Sequence, residues 1–327
     1  MPGAPQGWPE PSAQVAVAVD VVIPSWNGVA VLRRCLDALA AQEHPPARII
    51  VVDNGSSDGS DREAAGRPGV EVVQLGANTG FGHAANVGVA RANAPYVCVL
   101  NSDTRPAPRW LRELATAIAT ADASTWAWGS VLVRPTGVIE SAGDEYSPSG
   151  QAFKRWRDRP LADLPDAPYE VFATPGAALT CRRDVFLTLG GYAEHFFLYY
   201  EDIDLAARAR LQGHRAVVVP TARMEHALGA SGTKDTVWFH VARNKAWTAR
   251  RTRPDGSWGF VARLLVAEVL EARRNHHLRP SLRGTVASVR GLRRADADRR
   301  ALQADRSPHE TLTTSLTRPE SWDGPTR

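Results

Sequence analysis

Leu100-Asn101-Ser102-Asp103-Thr104 places three polar residues directly after a run of apolar ones. The apolar run, Tyr96–Leu100, is rich in β-branched residues and predicts a buried strand that ends where Asn101 begins. Open α/β sheets bind ligands at the carboxyl ends of their strands. A carboxylate at that position, Asp103, can hold a divalent metal against the phosphates of a ligand. The alternative is a plain strand-end turn, because Asn, Ser and Asp all favour turns.

The composition indicates a globular protein. The chain has 327 residues, of which 43% are hydrophobic, which suits one large domain or two modest ones. The sequence contains no run of about eighteen apolar residues, the length that a membrane-spanning helix needs. Residues 1–14 are rich in Pro and Gly and lack the pattern of a signal peptide, so we expect a flexible leader and a cytoplasmic protein. The three cysteines lie inside apolar patterns, which favours buried free thiols over disulfides or a zinc site.

Positive charge is concentrated near the C-terminus. The net charge is +4, yet residues 273–300 alone contain nine arginines and two aspartates, so the rest of the chain is net negative. A nucleic-acid groove across the whole domain is therefore not expected. The basic segment fits peripheral contact with an anionic membrane surface, or equally a contact between subunits.

The N-terminal third has the pattern of a βαβ unit. Residues 15–23 form a Val-rich run that predicts a strand buried on both faces, and apolar residues recur at helical spacing over residues 29–42. Residues 49–52 predict a second strand. Strand, helix and strand in this order imply a parallel sheet. The expected fold class is α/β, with a mixed, mostly parallel, Rossmann-like sheet flanked by helices and a helical C-terminal extension.

Residues 70–75 predict a third strand, and polar loops follow the second and third predicted strands. Asp53 leaves the second strand at the head of a Gly-, Ser- and Asx-rich loop that ends near Ser60. It stands where nucleotide-binding sheets carry a ribose-binding acid, although it could equally be a helix cap or an Asx-turn residue. The glycines of Asn78-Thr79-Gly80-Phe81-Gly82 indicate close backbone approach. No Gly-Lys-Ser/Thr follows, so this is not a Walker loop.

An aromatic run leads into three acids at Glu201-Asp202-Ile203-Asp204. Acids in a first helical turn favour the helix dipole, and Asp204 can pair with Arg208 one turn later, so a purely structural role is sufficient. A carboxylate beside an aromatic wall is also what a general base needs, because burial raises its pKa toward working pH.

His226 precedes a Gly- and Ser-rich segment. A single His is usually structural, but a neutral imidazole can complete the coordination of a metal, and we expect residues 224–232 to be a flexible loop able to close over a ligand. We expect a strand over residues 216–219 and helices over residues 236–250 and 258–273. The second helix is either an ordinary packing helix or a membrane-surface helix. Residues 135–168 show no periodicity apart from a hairpin arm at 151–156.

Six of these motifs, in this order, resemble glycosyltransferases of family two. They are Val21-Val22-Ile23-Pro24-Ser25-Trp26-Asn27; Val51 to Ser60; Asn78-Thr79-Gly80-Phe81 with Asn86 and Gly88; Leu100 to Thr104; Glu201-Asp202-Ile203-Asp204-Leu205; and His226 with Gly229 and Ser231. The sequence looks like the soluble rhamnosyltransferase-like enzymes of bacterial polysaccharide and cell-wall assembly.

The resemblance implies a GT-A fold and transfer of a sugar with inversion. It implies a nucleotide-diphosphate-sugar donor, with dTDP and UDP both open because Asp53 could serve either base, and a divalent metal (Mn²⁺ or Mg²⁺). The acceptor is expected to be a glycan or a lipid-linked molecule, of which the basic C-terminal segment alone suggests the second, and the charge distribution predicts no nucleic acid. The expected organisation is a leader at 1–14, a GT-A domain at 15–250, a basic helical extension at 251–300 and a disordered tail at 301–327.

Site roles also follow from the resemblance. Asp103 would hold the metal, and Asn101 stands where many relatives carry a further Asp, so either His226 is the second ligand or metal dependence is weak. Asp202 would be the general base, with Glu201 as the close alternative. Asp53 would meet the base or the ribose. The expected donor-binding residues are Pro24, Asn27, Asp53, Asn54, Asn78, Gly80, Asn101 and Ser102.

Two rival functions stay open from the residues alone. A sugar nucleotidyltransferase would need a basic, Gly-rich phosphate loop near the first strand, and Ser25-Trp26-Asn27-Gly28 contains no basic residue. A non-catalytic membrane- or nucleic-acid-binding protein would use residues 273–300. Neither rival explains the combination of Asp103, Asp202 and His226.

Overall fold

The computed structural model describes residues 17–227, 233–253 and 257–304. The expected leader at 1–14, Gly229 and Ser231 of the last motif, and residues 305–327 of the expected tail lie outside the described residues. The strands are β1 Val19–Ser25, β2 Arg48–Asp53, β3 Val70–Gln74, β4 Tyr96–Leu100, β5 Thr104–Pro106, β6 Thr125–Val133, β7 Ile139–Ser141, β8 Asp144–Tyr146, β9 Ala152–Lys154, β10 Tyr169–Val171, β11 Ala178–Arg182 and β12 Arg215–His226. The α-helices are α1 Val29–Ala40, α2 Ser60–Ala65, α3 Phe81–Arg91, α4 Trp110–Thr120, α5 Arg183–Thr188, α6 Glu201–Leu211, α7 Lys234–Thr252, α8 Trp258–Arg274 and α9 Leu278–Ala304.

One mixed sheet carries the fold, with the strand order β10-β12-β6-β11-β4-β1-β2-β3. Its β3-β2-β1-β4 half is parallel throughout. Beyond it, β11 runs antiparallel to both β4 and β6, while β12 runs parallel to β6. The predicted α/β class, a sheet with helices on its faces, is confirmed. The hairpin arm predicted near residues 151–156 is also present, as β9 paired with β8.

Helices cover both faces of the sheet, because parallel strands are apolar on both sides. Val22 packs with α3 and α6 in one cluster, and its neighbours Val21 and Ile23 pack with α1 and α4 in the other. The predicted apolar stripe of α1 is buried at Leu32, Cys35, Leu36 and Leu39. The three cysteines are free and buried, as expected.

The end of β12 differs from the sequence-based prediction. A strand over residues 216–219 and a flexible loop from residue 224 were expected, but β12 continues to His226. Pro220 falls in an irregularity between Val218 and Arg223, where the register with β6 shifts. After that shift the strand resumes and also pairs antiparallel with β5, with His226 opposite Thr104. The interruption at Pro220 explains why the pattern suggested that the strand ended there.

Of the three C-terminal helices, α7 packs onto α6, and α8 and α9 pack onto α7 and onto each other. They share a third cluster with α6 that includes Tyr146, Phe196 and Trp247, together with Val261 of α8 and Leu292 of α9. Close contact between α7 and α9 depends on glycines: a Cβ at Gly291 would lie 2.2 Å from the Trp247 ring, and one at Gly284 would lie 2.3 Å from the Phe239 carbonyl oxygen. Helix α9 continues to Ala304, beyond the start of the expected tail. Among the described helices, none is both long enough and apolar enough to span a bilayer.

Gly291→Ala tests the packing of α9 on α7. In an open helix this change stabilises by up to about 1 kcal/mol. Here we expect a net loss of about 1–3 kcal/mol of unfolding free energy, because the new methyl group overlaps the Trp247 ring. Urea unfolding measures it. Gly259→Ala in α8 is the matched control, since its nearest atoms lie 3.8 Å away or more. Equal stability of the two variants would contradict the packing described.

Candidate active site

The carboxyl ends of the parallel strands bring the first predicted loops together. Ser25, the last residue of β1, lies opposite Asp53, the last residue of β2, and Pro24 is buried one position earlier. Asp53 is 4% exposed. Its Oδ2 accepts a hydrogen bond from the Ser56 N–H at 3.1 Å, while its Oδ1 is buried without a partner among the described residues. One carboxylate oxygen thus remains available for a ligand.

Asn27 joins the loop after β1 to the loop after β2. Its N–H donates to the Ser56 hydroxyl at 2.9 Å, and its Oδ1 accepts from the Ser57 N–H at 3.0 Å. Its φ of 58°, followed by 83° at Gly28, turns the chain sharply into α1. The N–H and the Oδ1 of Asn27 are therefore both bonded to the second loop, and they fix the shape of this edge of the sheet.

Asn54 and Asn78 join the second loop to the third. The Asn54 Oδ1 accepts from the N–H and hydroxyl of Thr79 at 2.8 and 2.9 Å, and its Nδ2 donates to the Gly80 carbonyl at 3.1 Å. The Asn78 Oδ1 accepts from the Gly80 N–H at 3.0 Å and from the Asn54 Nδ2 at 3.3 Å. These side-chain atoms hold the loops in place and are already engaged within the protein.

Gly80 lies against the aromatic run that precedes α6. A Cβ there would lie 2.7 to 2.9 Å from atoms of Phe197, and the Phe81 N–H donates to the Phe197 carbonyl at 2.8 Å. The close backbone approach predicted from the glycines is therefore present. It connects the loops after β2 and β3 with the segment that carries Glu201 and Asp202.

Asp103 and His226 are brought together by the pairing of β5 with β12. The pentapeptide 100–104 forms a tight turn, in which the Thr104 N–H and hydroxyl both donate to the Asn101 carbonyl. Asn101 and Ser102 are half-buried on this turn. The turn directs Asp103 toward His226, whose Nε2 lies 3.2 Å from the Asp103 Oδ1. The predicted pair thus shares one side of the sheet.

Glu140 completes this group and was not predicted. It lies on β7, and its Oε2 is 2.7 Å from the His226 Nδ1. Burial alone would lower the pKa of His226, but Asp103 and Glu140 raise it to about 9. Burial would raise the pKa of Glu140, and contact with His226 and Lys154 instead lowers it to about 2. The imidazole is thus held between two carboxylates.

The residues fit a divalent metal that also contacts a phosphorylated ligand. The Asp103 Oδ2 and the His226 Nε2 are buried, and neither forms a well-directed hydrogen bond with another described residue. A carboxylate on Nδ1 is the usual arrangement behind a metal-binding histidine, because it orients the other nitrogen toward the ion. Within the described ranges no group of three or more His, Cys, Asp or Glu side chains could hold a metal. The remaining ligands would come from phosphate oxygens and water, as is common for Mg²⁺.

The three acids of α6 have different surroundings. Asp204 is fully buried and paired with Arg208 at 2.9 Å, as predicted, and also with Arg251 of α7. Glu201 is buried with its Oε2 unpartnered among the described residues; burial, and then the charges of Asp202 and Asp204, raise its pKa to about 8. Burial also raises the pKa of Asp202, which is half-buried. Asp204 is therefore engaged in ion pairs within the protein, whereas Glu201 and Asp202 have raised pKa values.

Gly176 makes room for Asp202. A Cβ at Gly176 would lie 2.4 Å from the Asp202 Oδ2. The Asp202 Oδ1 accepts from the Ile203 N–H at 2.8 Å, so the second oxygen is the one that faces Gly176. No sequence pattern singled out this glycine.

The turn that leads into Glu201 is strained and is held by Asn244. Phe197, Tyr199 and Tyr200 have φ values of 64°, 67° and 69°, which side-chain-bearing residues rarely adopt. The Asn244 Nδ2, on α7, donates to the carbonyls of Phe196, Leu198 and Tyr199 at 3.0, 2.8 and 2.7 Å. Asn244 is completely buried. The only sequence signal was a polar residue amid the buried positions of a helix, which does not indicate a partner.

Two residues interact both with the group of Asp103, Glu140 and His226 and with the acids at the start of α6. Burial raises the pKa of the Tyr199 phenol, and the charges of Glu201 and Asp103 raise it further, so Tyr199 lies near both. Lys154 of β9 pairs with Glu140, and its charge partly offsets the burial that raises the pKa of Asp202. Tyr199 and Lys154 thus each interact with acids at both ends of the site, and the sequence did not single out either residue.

Comparison with known proteins identifies the family. The sequence profile of Glycosyl transferase family 2 matches residues 20–184. The N-acetylglucosaminyl-diphospho-decaprenol L-rhamnosyltransferase of Mycobacterium tuberculosis is 30% identical over 291 residues, covering 77% of this chain and 90% of that protein. The O-antigen biosynthesis protein RfbC of Myxococcus xanthus is 26% identical, covering 72% of this chain and 20% of that protein.

Solved structures show the same fold. GalNAc-T7, crystallised with UDP, GalNAc and Mn²⁺, aligns with a TM-score of 0.62 at 17% identity, over 84% of this chain and 57% of that chain. The mannosyltransferase PcManGT of Pyrobaculum calidifontis, in complex with GDP-Man and Mn²⁺, aligns with a TM-score of 0.54 at 19% identity, over 92% and 89%. The architecture is thus the GT-A fold expected from the motifs. On the family profile and the identity to the rhamnosyltransferase, the chain belongs to glycosyltransferase family 2.

Proposed function

We propose that the protein transfers a sugar, with rhamnose favoured, from a dTDP- or UDP-sugar to a hydroxyl of a glycan or lipid-linked acceptor, with inversion. The observation that carries the proposal is the contact of Asp103 with His226 and of His226 with Glu140, at the sheet edge that also carries Asp53. The reaction would belong to bacterial polysaccharide or cell-wall synthesis. The M. tuberculosis relative, by its name, moves L-rhamnose onto an N-acetylglucosaminyl lipid diphosphate, which supports this sugar and this class of acceptor.

The donor side of the site has to bind a nucleoside diphosphate. In the proposal Asp53 accepts a hydrogen bond from the ribose or the base through its unpartnered Oδ1. Pro24, Asn27, Asn54, Asn78 and Gly80 shape the loops around it, while Asn101 and Ser102 border the diphosphate. Asp103 and His226 would hold a Mn²⁺ or Mg²⁺ ion. That ion, when bound, stabilises the negative charge that builds on the departing diphosphate.

The acceptor side has to remove a proton. An incoming hydroxyl becomes a better nucleophile when a carboxylate takes its proton, and a raised pKa matches that carboxylate to working pH. Asp202 is the proposed base because it is the more exposed of the two candidates, and Glu201 is the alternative. Inversion requires attack from the face opposite the diphosphate, and a base on α6 is carried by a different element from Asp103 on the β4–β5 turn.

The chain's organisation and location complete the proposal. Residues 15–250 are assigned to the GT-A domain and residues 251–300 to a basic helical extension that contacts the inner face of a membrane. The protein is cytoplasmic in this proposal and meets a lipid-linked acceptor at that surface. A nucleotidyltransferase is not supported, since the loop after β1 carries no basic residue and the family is one of sugar transfer.

Calorimetric titration with dTDP, UDP and GDP, each with and without Mn²⁺, tests the donor side. We expect dTDP or UDP to bind more tightly with Mn²⁺ than without it. Asp103→Asn should abolish the metal effect, because it removes the only carboxylate on the turn. Binding of GDP alone, or an unchanged metal effect in Asp103→Asn, would contradict the proposal.

Two glutamate variants refine this test. Glu140→Gln should lower Mn²⁺ affinity about ten- to a hundredfold, because the His226 ring loses its orienting carboxylate. Glu225→Gln is the matched control: Glu225 is next to His226 in sequence but pairs with Arg105 on the surface. Its metal affinity should match that of the wild type.

Asp202→Asn and Glu201→Gln, assayed against pH, identify the base. If Asp202 is the base, Asp202→Asn lowers kcat about 10²- to 10⁴-fold and Glu201→Gln keeps most of it. A base works only when deprotonated, so the wild-type rate rises with pH through its pKa. Burial is what raises the pKa of Asp202, so Glu201→Gln should leave that rise in place. The readout is nucleoside diphosphate release with an N-acetylglucosaminyl lipid diphosphate as acceptor. The reverse pattern would assign the base to Glu201.

Asn244→Ala tests the support of the turn before α6. We expect a loss of about 2 kcal/mol of unfolding free energy, because buried carbonyls lose their donor. We also expect kcat to fall roughly tenfold or more as the base is displaced. Nucleoside diphosphate affinity should stay unchanged, which separates positioning of the base from general loss of structure. Asn275→Ala, at an exposed helix end, is the control and should change neither quantity. An unchanged kcat in Asn244→Ala would contradict this role.

A further inference from the structure

Helix α9 has two unlike faces. Its inner face, packed toward α7, consists mostly of small residues: Ser281, Gly284, Ser288, Leu292 and Ala295 are buried. Its outer face exposes an aliphatic row at one- and two-turn spacing, with Leu282 43%, Val286 54% and Val289 56% exposed. The exposed arginines of the same helix are Arg279, Arg283, Arg290, Arg293, Arg294 and Arg300.

The two acids of α9, Asp296 and Asp298, form ion pairs with arginines of α7. Asp296 pairs with Arg250, and the Asp298 Oδ2 lies 3.0 Å from the Arg251 Nε. No acidic side chain is exposed among the described residues of this helix. The outer face therefore combines positive charge, with no exposed acid among its described residues, and an aliphatic stripe.

The neighbouring helix extends this character. Helix α8 packs against α9 and leaves Val266 60% and Leu270 50% exposed. Arg273 and Arg274 are exposed at its end, with Glu271 the nearest exposed acid. Exposed valines and leucines ringed by arginines are costly in water unless a partner covers them.

We propose that the outer face of α9, defined by Leu282, Val286, Val289 and the six exposed arginines, binds the surface of an anionic phospholipid membrane. Basic amphipathic helices lie in the plane of the interface, with aliphatic side chains among the acyl chains and arginines on the head groups. The inference deepens the proposed function, on which it rests for the lipid-linked acceptor, by naming the surface and the lipid class.

Charge and shape favour a membrane over other occupants. A second copy of the same face would oppose six arginines to six arginines with no exposed acid between them. A nucleic acid would meet the arginines but leave the aliphatic row against a polar backbone. An anionic bilayer satisfies both parts of the face.

Binding there would also orient the active site. Arg251 of α7 contacts Asp298 of α9 and Asp204 of α6, and all three side chains are at least two-thirds buried. This chain of ion pairs connects the proposed membrane helix to the helix that carries Glu201 and Asp202. When α9 lies on a bilayer, the orientation of the proposed base relative to the membrane would thus be fixed.

Co-sedimentation of the full chain with vesicles tests the proposal. We expect binding to vesicles of equal parts phosphatidylglycerol and phosphatidylcholine, weakened by salt, and no binding to phosphatidylcholine alone. R283Q/R290Q/R293Q should lower the partition coefficient roughly a hundredfold, at about 1 kcal/mol for each arginine. V286S/V289S should lower it roughly tenfold. The matched control is R34Q/R109Q/R112Q, which removes the same charge from α1 and the start of α4 across the sheet and should bind like the wild type.

Each outcome is decisive. The proposal is overturned if the wild type stays in solution with anionic vesicles or if both arginine triples lose binding equally. It is also overturned if light scattering shows a dimer that V286S/V289S separates, or if a DNA oligonucleotide binds the wild type and V286S/V289S equally and displaces the vesicles. Circular dichroism checks that each variant is folded. Nucleoside diphosphate binding, measured on the same samples, separates this inference from the proposed function, since either can fail while the other holds.

Discussion

The antiparallel pairing of β5 with β12 puts His226 opposite Thr104, and the arrangement of the site depends on that register. A shift by one residue would turn His226 to the other face of the sheet and separate it from Asp103. The register is held on the far side of β12 by β6, which resumes its pairing only after the irregularity at Pro220. A three-residue strand thus decides which imidazole meets which carboxylate.

Much of the architecture could be predicted from local pattern. The strands of the parallel half are continuous apolar runs, and α1 has an unambiguous helical stripe, so both were expected. The bounds of the first strand were wrong, because β1 begins at Val19 rather than at residue 15 and continues through Pro24 to Ser25. Asp103 and His226 could be proposed as partners only through the family resemblance. No local pattern brings them together, because their contact depends on the pairing of β5 with β12, two strands about 120 residues apart in the chain. The roles given to these residues stay predictions.

The residues that sequence analysis missed are those whose partners are distant. Glu140 lies in a stretch without periodicity. It reaches His226 only because β7 pairs with the last residues of β6. Arg251 was not singled out from the sequence, and it is buried against Asp204 and Asp298. A buried charge of this kind is tolerated because its carboxylate partners are buried with it. No local pattern distinguishes such an arginine from an exposed one.

The hydrogen bonds from Asn244 to the turn before α6 have a consequence for the order of folding. They join residues 45 to 48 positions apart, and the turn they stabilise contains three backbone conformations that are unfavourable by themselves. Contacts over such separations form only after the intervening chain has been ordered. The sheet can therefore assemble before the turn, whose final shape has to await the docking of α7. The competent site is then among the last parts of the molecule to form, and the first to be lost when the C-terminal helices detach.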